Sequence, residues 1–142
     1  MTVHLVKTAA GIADLEALAA RQALRRGIVD GRPVVAAYTR RKPRRAEEVV
    51  DGGSIYWIVK RAIRVRQRVV DLVDAVDGEG QPFCEMLLDP ELVETAPMPR
   101  RPIQGWRYLD PTDAPRDREA GAPDDDRLPD HLVRDLQALG LM

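Results

Sequence analysis

The pattern of apolar and polar positions in the first forty residues predicts two strands separated by an amphipathic helix. TVHLV (2–6) is a short apolar strand candidate, and RPVVAAYT (32–39) is a second one. Between them, residues 11–27 carry apolar side chains at the three- and four-residue spacing of a helix. Arg26 falls in the last predicted turn and Gly27 at its end, as the helix dipole and glycine C-caps favour. The helix is therefore predicted to end at Gly27.

A second, shorter helix is predicted over residues 43–53, because proline suits a first turn and glycine suits a helix end. The Gly-Gly pair at its end has two interpretations. Either the pair ends the helix with positive φ, or its bare amides and the Ser54 hydroxyl form a nest for an anion. The first is favoured, because anion sites prefer helix N-termini and this pair follows a C-terminus.

Two β-rich segments follow the glycines. SIYWIVKR (54–61) is dense in β-branched and aromatic residues, and AIRVRQRVVDLVDAV (62–76) alternates with period two. The second segment also fits a helical i, i+4, i+7 spacing, since Gln67 and Asp71 interrupt the strand parity, but a strand is favoured. Period two would place three arginines on one face of this strand: Arg64, Arg66 and Arg68.

The next segments predict a hairpin and a closing strand. DGEGQ (77–81) is a turn signal, and PFCEMLL (82–88) returns as a strand. Residues 97–109 start as a Pro-rich extended segment and end as a short strand with Trp106 and Tyr108 on the same face.

The chain is predicted to divide into a domain, a linker and a terminal helix. Residues 1–109 form the domain, and residues 110–127 are acidic, rich in Pro and Gly, and typical of a linker. Residues 128–142 predict a short amphipathic helix that must dock on its own domain or on a partner. The order of elements predicts an α+β fold, in which two helices and the C-terminal helix pack on a small, curved or barrel-like, mostly antiparallel sheet.

Composition narrows the class of protein. With 32% charged and 44% hydrophobic residues, the chain is expected to be folded and soluble. The first residues lack the features of a signal peptide, and no window approaches the ~18 apolar residues of a membrane span. We therefore expect a cytoplasmic protein without membrane contact. Cys84 is the single cysteine and the only histidines are His4 and His131, so no disulfide, metal site or other cofactor is expected.

Charge is distributed unevenly along the chain. Residues 1–109 carry 18 Lys and Arg against 14 Asp and Glu, a net +4, whereas residues 110–142 carry 4 against 9, a net −5. Within the first part, residues 40–68 alone hold 10 basic and 3 acidic side chains. A basic patch of this kind is typical of nucleic-acid binding. The candidate phosphate-binding residues are Arg40, Arg41, Lys42, Arg44, Arg45, Ser54, Lys60, Arg64, Arg66, Arg68, Arg100, Arg101 and Arg107.

Each of these signals also has a purely structural interpretation. The three alternating arginines could track a phosphate backbone, or form an ordinary solvated face paired with acids such as Glu85 and Asp89. Four aromatic residues could stack on bases, although at least two are expected to be core anchors. These stacking candidates are Tyr56, Trp57, Trp106 and Tyr108. No nucleophile has an obvious base nearby, so catalysis is not favoured.

Several motifs resemble one family. DGGSIYW (51–57) with Lys60 shortly after it, then RQR (66–68) and QGWRYL (104–109), occur in the order shown by the uncharacterised bacterial domain of unknown function family 1489. The likeness covers nearly the whole chain. This chain has arginine at two positions where the family tends to have Lys and Gly, namely Arg44 and Arg61. The resemblance implies no activity, because none is attached to the family.

The element order shows a second, weaker resemblance. With YTRR (38–41) at a basic strand end, VVDLVDAV (69–76) at the end of a later strand and GWRYL (105–109) near the close, the layout is similar to that of the PUA-like barrels, including the ASCH and EVE domains. It implies binding of RNA or modified bases, and, for some ASCH proteins, hydrolysis of modified nucleosides. An amidohydrolase set of that kind could draw on Thr39, Lys42 or Lys60, and Glu85. The leading hypothesis is an RNA-binding module. The alternatives are a non-enzymatic interaction or assembly factor that docks through residues 128–142, and an ASCH-like amidohydrolase.

Overall fold

The computed structural model describes residues 2–118. The predicted C-terminal helix (128–142) and the last part of the predicted linker lie outside the described residues. Two helices are described, α1 (Leu15–Ala23) and α2 (Ala46–Val50). The strands are β1 (His4–Thr8), β2 (Arg26–Val29), β3 (Arg32–Thr39), β4 (Ser54–Val59), β5 (Ala62–Val76), β6 (Pro82–Leu88), β7 (Val93–Pro99) and β8 (Trp106–Leu109). Neither described helix is long and apolar enough to cross a membrane.

The eight strands form one hydrogen-bonded sheet in the order β2-β3-β6-β5-β4-β1-β8, and β7 pairs with β5 off this path. Every pairing is antiparallel except that of β1 with β4. The prediction of a mostly antiparallel sheet with two packed helices is thus confirmed.

The barrel-like part of that prediction is wrong, because the sheet is open. Its path ends at β2 on one side and β8 on the other. Side chains rather than a strand ladder connect the end of β3 to β8. The Trp106 indole N–H donates to the Arg41 carbonyl at 2.7 Å, and a hollow lies beside this contact.

Strand β5 organises the sheet. It spans 15 residues, and it pairs with β6 over Val69–Val76 and with β7 over Ala62–Arg66. The strand interpretation of this segment is therefore confirmed. A shift in register between Val69 and Asp71 explains the irregular parity of the sequence, because one extra residue reverses which side chains point inward. Thus Leu72 is buried, whereas Val73 is exposed.

Buried side chains lie on both faces of the central strands. In β1, Leu5 belongs to the larger core cluster and Val6 to the smaller one. All six residues of β4 are buried, which explains the nearly continuous apolar run of that segment. Helix α1 buries Leu18 and α2 buries Val49 in the larger cluster, so both helices cover the same face.

Helix α1 ends at Ala23, not at the predicted Gly27. Arg26–Val29 instead form β2, which pairs with β3 through a turn at Asp30 and Gly31. Asp-Gly is a strong signal for a two-residue hairpin. Residues that the local pattern assigned to the helix therefore pair with β3 instead. Strand β7 was also missed, because its prolines obscure the pattern of an edge strand.

The start of the predicted linker packs against β7. Asp117 forms a bridge with Thr95, the Ala96 N–H donates to the Arg116 carbonyl at 2.8 Å, and the Arg118 N–H donates to the Glu94 carbonyl at 2.9 Å. Residues 116–118 therefore add a short paired segment to the fold. The linker and the terminal helix beyond them stay predictions.

We expect one substitution in the hairpin between β4 and β5 to stabilise the protein. Lys60 and Arg61 form its two-residue turn with φ of 52° and 59°, a conformation that costs side-chain-bearing residues about 1 kcal/mol. Arg61→Gly should therefore raise the free energy of unfolding by about 0.5–1 kcal/mol. Urea denaturation measures the change. Arg68→Gly, in the extended part of β5, is the control and should destabilise; a loss of stability in the Arg61 variant contradicts the prediction.

Candidate nucleic-acid interface

The Gly-Gly-Ser segment ends helix α2 and offers few free amides. Gly52 has a φ of 86°, the Gly53 N–H donates to the Val49 carbonyl at 2.8 Å, and the Ser54 N–H donates to His4 Nδ1 at 3.0 Å. Burial and the nearby Arg66 lower the pKa of His4, which suits a neutral imidazole accepting that bond. The geometry supports the helix-end interpretation over an anion nest.

Arg66 is held by an acid from the C-terminal segment. Its Nε and Nη2 donate to the two Asp117 carboxylate oxygens at 2.6 and 2.7 Å, and its Nη1 donates to Ser54 Oγ at 3.1 Å. The pair raises the pKa of Arg66 and lowers that of Asp117. A bidentate pair of this kind fixes the guanidinium, so Arg66 and Ser54 are engaged inside the protein.

The other two arginines of β5 have different surroundings. Arg64 is half-buried and donates to the Val59 carbonyl at 2.7 Å, while Arg68 is exposed. Arg64 and Lys60 line a hollow of about 490 Å³ whose walls also carry three acids: Asp14, Glu16 and Glu94. The three arginines therefore do not form a uniformly exposed basic face. Asp89, one of the acids expected to pair with them, forms an ion pair with Arg32 at 3.1 Å.

A second hollow combines several of the predicted residues. It lies between the ends of β1, β3 and β8 and has a volume of about 470 Å³. We call it the cationic cleft. Its lining residues are Lys7, Tyr38, Thr39, Arg40, Arg41, Gln104, Gly105, Trp106 and Arg107. Four of them are cationic, and no carboxylate of residues 2–118 is in this lining.

Most cations of the cleft form no ion pair with the residues that the structure describes. Among the described residues, no ion pair involves Lys7, Arg41 or Arg107, whereas Arg40 pairs with Asp77 at 3.2 Å. The Arg107 Nη1 donates to the Trp106 carbonyl at 3.0 Å. Lys7 is half-buried, and burial lowers the pKa of its amine. A bound anion would offset that desolvation.

The remaining basic candidates lie outside this lining. Lys42 forms an ion pair with Asp74 at 3.1 Å, and Arg45 pairs with Glu48 at 2.6 Å. Three others are exposed or half-exposed without a contact to the cleft: Arg44, Arg100 and Arg101. The structure therefore brings together Arg40, Arg41 and Arg107 from the predicted set.

The predicted stacking residues serve mainly as structural anchors. Tyr56, Trp57 and Trp106 are buried, and the half-buried Tyr108 accepts a hydrogen bond from the Arg45 N–H at 3.1 Å. The Arg41 guanidinium covers the Trp106 ring at 4.2 Å from its centroid. Trp106 therefore supports the wall of the cleft by positioning Arg41.

Four residues of the cleft were not among the predicted site residues: Lys7, Tyr38, Gln104 and Gly105. Tyr38 is 46% exposed, and its ring is the accessible aromatic group in the lining of the cleft. Its signal was present in the alternation of β3, where Val35, Ala37 and Thr39 are buried. Period two places Tyr38 on the opposite face from these three.

The residues considered for an amidohydrolase are not assembled. Thr39 lies opposite Cys84 and Tyr38 lies opposite Glu85 in the β3–β6 register. Residues directly opposite each other share a face, so the side chains of Thr39 and Glu85 point to opposite faces of the sheet. Lys42 is paired with Asp74, and Lys60 lies at the β4–β5 turn.

The comparisons with known proteins bear on the family alone. No curated protein and no solved structure matches this chain. A family model described as "Protein of unknown function (DUF1489)" matches residues 5–142, which is nearly the whole chain. The chain therefore belongs to the DUF1489 family.

Proposed function

We propose that this protein binds single-stranded RNA in the cationic cleft. The observation that carries the proposal is a hollow with four cations and no acid in its described lining. Nucleic-acid affinity rests mainly on neutralising phosphates, and each neutralised phosphate releases counterions. The layout resemblance to PUA-like domains, which stays a prediction, favours RNA over DNA.

The availability of the cations favours this cleft over the β5 arginines. Arg41 and Arg107 are exposed and, within residues 2–118, form no ion pair. A phosphate can therefore approach them without displacing a carboxylate of the described residues. Arg66, by contrast, would have to exchange Asp117 for the ligand. Because that exchange only replaces one anion by another, the gain in binding free energy at Arg66 is smaller.

The aromatic and polar groups of the cleft suit an unpaired strand. A base can stack on the exposed part of the Tyr38 ring, which also contacts the Arg25 guanidinium and the Phe83 ring. Such stacking is worth ~1–3 kcal/mol in single-strand binding. The side chains of Thr39 and Gln104 add hydrogen-bonding groups to the lining. A volume of about 470 Å³ falls within the ~300–1,000 Å³ range of pockets for small ligands. The cleft therefore fits a short single-stranded segment better than a duplex.

Removing two cations of the cleft tests the proposal. The Arg41→Gln, Arg107→Gln double variant should bind a ten-nucleotide single-stranded RNA about tenfold more weakly at low salt. The slope of log affinity against log salt should fall by about 1.4, since each lost phosphate contact removes ~0.7 on a single strand. Fluorescence anisotropy between 50 and 200 mM salt, as rough working limits, measures both quantities.

The matched control removes two exposed arginines outside the cleft. The Arg44→Gln, Arg68→Gln double variant has the same change in net charge, and it should retain most of the affinity. Equal losses in the two double variants would mean that binding follows net charge rather than the cleft. The proposal is overturned if the unaltered protein does not bind RNA. It is also overturned if the Arg41, Arg107 variant binds RNA as tightly as the unaltered protein and has an unchanged melting temperature.

A further inference from the structure

A narrower hollow adjoins the cationic cleft. It has a volume of about 150 Å³ and lies between helix α1 and strands β1, β3 and β4. We call it the inner hollow. It shares Lys7 and Tyr38 with the lining of the cleft, so the two spaces meet at these side chains.

The inner hollow has a buried floor and an exposed rim. The floor is formed by residues that are almost inaccessible to solvent: Ala9, Leu18, Gln22, Ala37 and Trp57. The rim carries Arg21, Arg25 and Tyr38, which are exposed. A hollow of about 150 Å³ over a buried floor has room for a compact terminal group, whereas an internal segment needs space to continue on both sides.

Hydrogen bonds hold the floor in place. The side-chain amides of Gln22 and Gln67 exchange two hydrogen bonds of 2.7 and 2.8 Å, and the Trp57 indole N–H donates to Gln67 Oε1 at 2.9 Å. Gln67 is fully buried. The floor of the hollow is therefore fixed before any ligand binds, which lowers the entropic cost of binding.

The charges of the inner hollow have one sign. Lys7, Arg21 and Arg25 belong to its lining, and no carboxylate of the described residues does. None of the three forms an ion pair within residues 2–118. The Arg25 guanidinium lies over the Tyr38 ring, 5.3 Å from its centroid, at the boundary with the cleft. The arrangement suits a compact anion carrying more than one negative charge.

We propose that the inner hollow binds the terminal phosphate of an RNA strand whose adjoining nucleotides occupy the cationic cleft. This inference rests on the proposed function of the cleft. A terminal phosphate monoester carries about −1.5 to −2 charge at pH 7 and three acceptor oxygens, whereas each internal phosphodiester carries about −1. Three cations in the lining of a small hollow therefore favour a phosphorylated end over an internal phosphate or a hydroxyl end.

Binding of otherwise identical RNAs tests the inference. Ten-nucleotide single strands with a 5′-phosphate, a 3′-phosphate or hydroxyls at both ends are compared with the full chain by fluorescence anisotropy. We expect one phosphorylated RNA to bind about tenfold more tightly than the hydroxyl-ended RNA. The comparison of the 5′ and 3′ forms identifies the end.

A variant at the rim connects the preference to this hollow. Arg21→Gln should reduce the preference to about threefold or less while leaving the affinity for hydroxyl-ended RNA within about twofold, because Arg21 does not line the cationic cleft. Arg26→Gln is the control, since Arg26 is exposed on β2 and lies outside the lining. It should leave the preference intact.

The outcomes separate the two proposals. Equal affinity of the unaltered protein for all three RNAs overturns the terminal-phosphate site and leaves RNA binding in the cleft standing. A preference that stays about tenfold in the Arg21 variant, with its melting temperature unchanged, also overturns it. If none of the RNAs binds, the proposed function fails together with the inference.

Discussion

Replacing Gly53 with valine should lower the free energy of unfolding by about 3 kcal/mol or more. A Cβ atom at this position would overlap the backbone carbonyl oxygens of Val49 and Val3. Neither oxygen belongs to a flexible side chain. Relieving the overlap would separate the end of α2 from the chain entering β1 and break the bond from the Gly53 N–H to the Val49 carbonyl.

Alanine at the neighbouring glycine is the control for this prediction. Gly52 has positive φ, but a Cβ there meets only the Thr2 side chain at 3.5 Å or more. Gly52→Ala should therefore cost about 1–2 kcal/mol, the penalty of the left-handed conformation. Urea unfolding of both variants measures the difference. If Gly53→Val lowers the free energy of unfolding no more than Gly52→Ala does, the backbones at Gly53, Val49 and Val3 do not lie in the close contact described above.

Replacing Gln67 with methionine should destabilise the protein by about 3 kcal/mol, although the two side chains have similar size. Gln67 is 0% exposed, and its amide makes four hydrogen bonds. It donates to the Gln22 side chain and the Asp89 carbonyl, and it accepts from Gln22 and the Trp57 indole. Methionine would leave these buried groups without their partner, at a cost of ~1–3 kcal/mol for each unsatisfied group.

The control for this second prediction is Gln81→Met, since Gln81 is exposed in the β5–β6 turn. It should change the free energy of unfolding by less than about 0.5 kcal/mol. Chemical denaturation, combined with near-ultraviolet circular dichroism of the Trp57 environment, measures the effect. A Gln67→Met variant as stable as the unaltered protein would show that the buried network does not contribute to folding.

The burial of Gln67 could not be predicted from the sequence. As a polar residue among valines, it weakened the case for a strand, yet it occupies an inward position of β5. Its partner Gln22 lies 45 residues away on α1, and no local pattern connects the two. A buried amide becomes compatible with a core strand only when a distant segment satisfies it.

The candidate site also could not be predicted from local sequence. Arg41 and Arg107 were recognised as basic, but so were many arginines that the fold pairs with acids, among them Arg66 with Asp117. Lys7, Arg41 and Arg107 come from β1, the segment after β3, and β8. Strands β3 and β1 are not neighbours in the sheet, so the cleft between them has no signature in any continuous segment.

Local pattern was sufficient for the elements whose residues carry their own signal. The alternation of β5, the turn at residues 77–81 and the glycines after α2 specify backbone conformation through side-chain period and φ preference. Tertiary structure decided the choice between helix and strand at Arg26–Val29 and the open sheet. It also decided which cations form no ion pair with the described residues. These depend on free energies of contact between segments far apart in the chain, and such contacts exist only after the chain has folded.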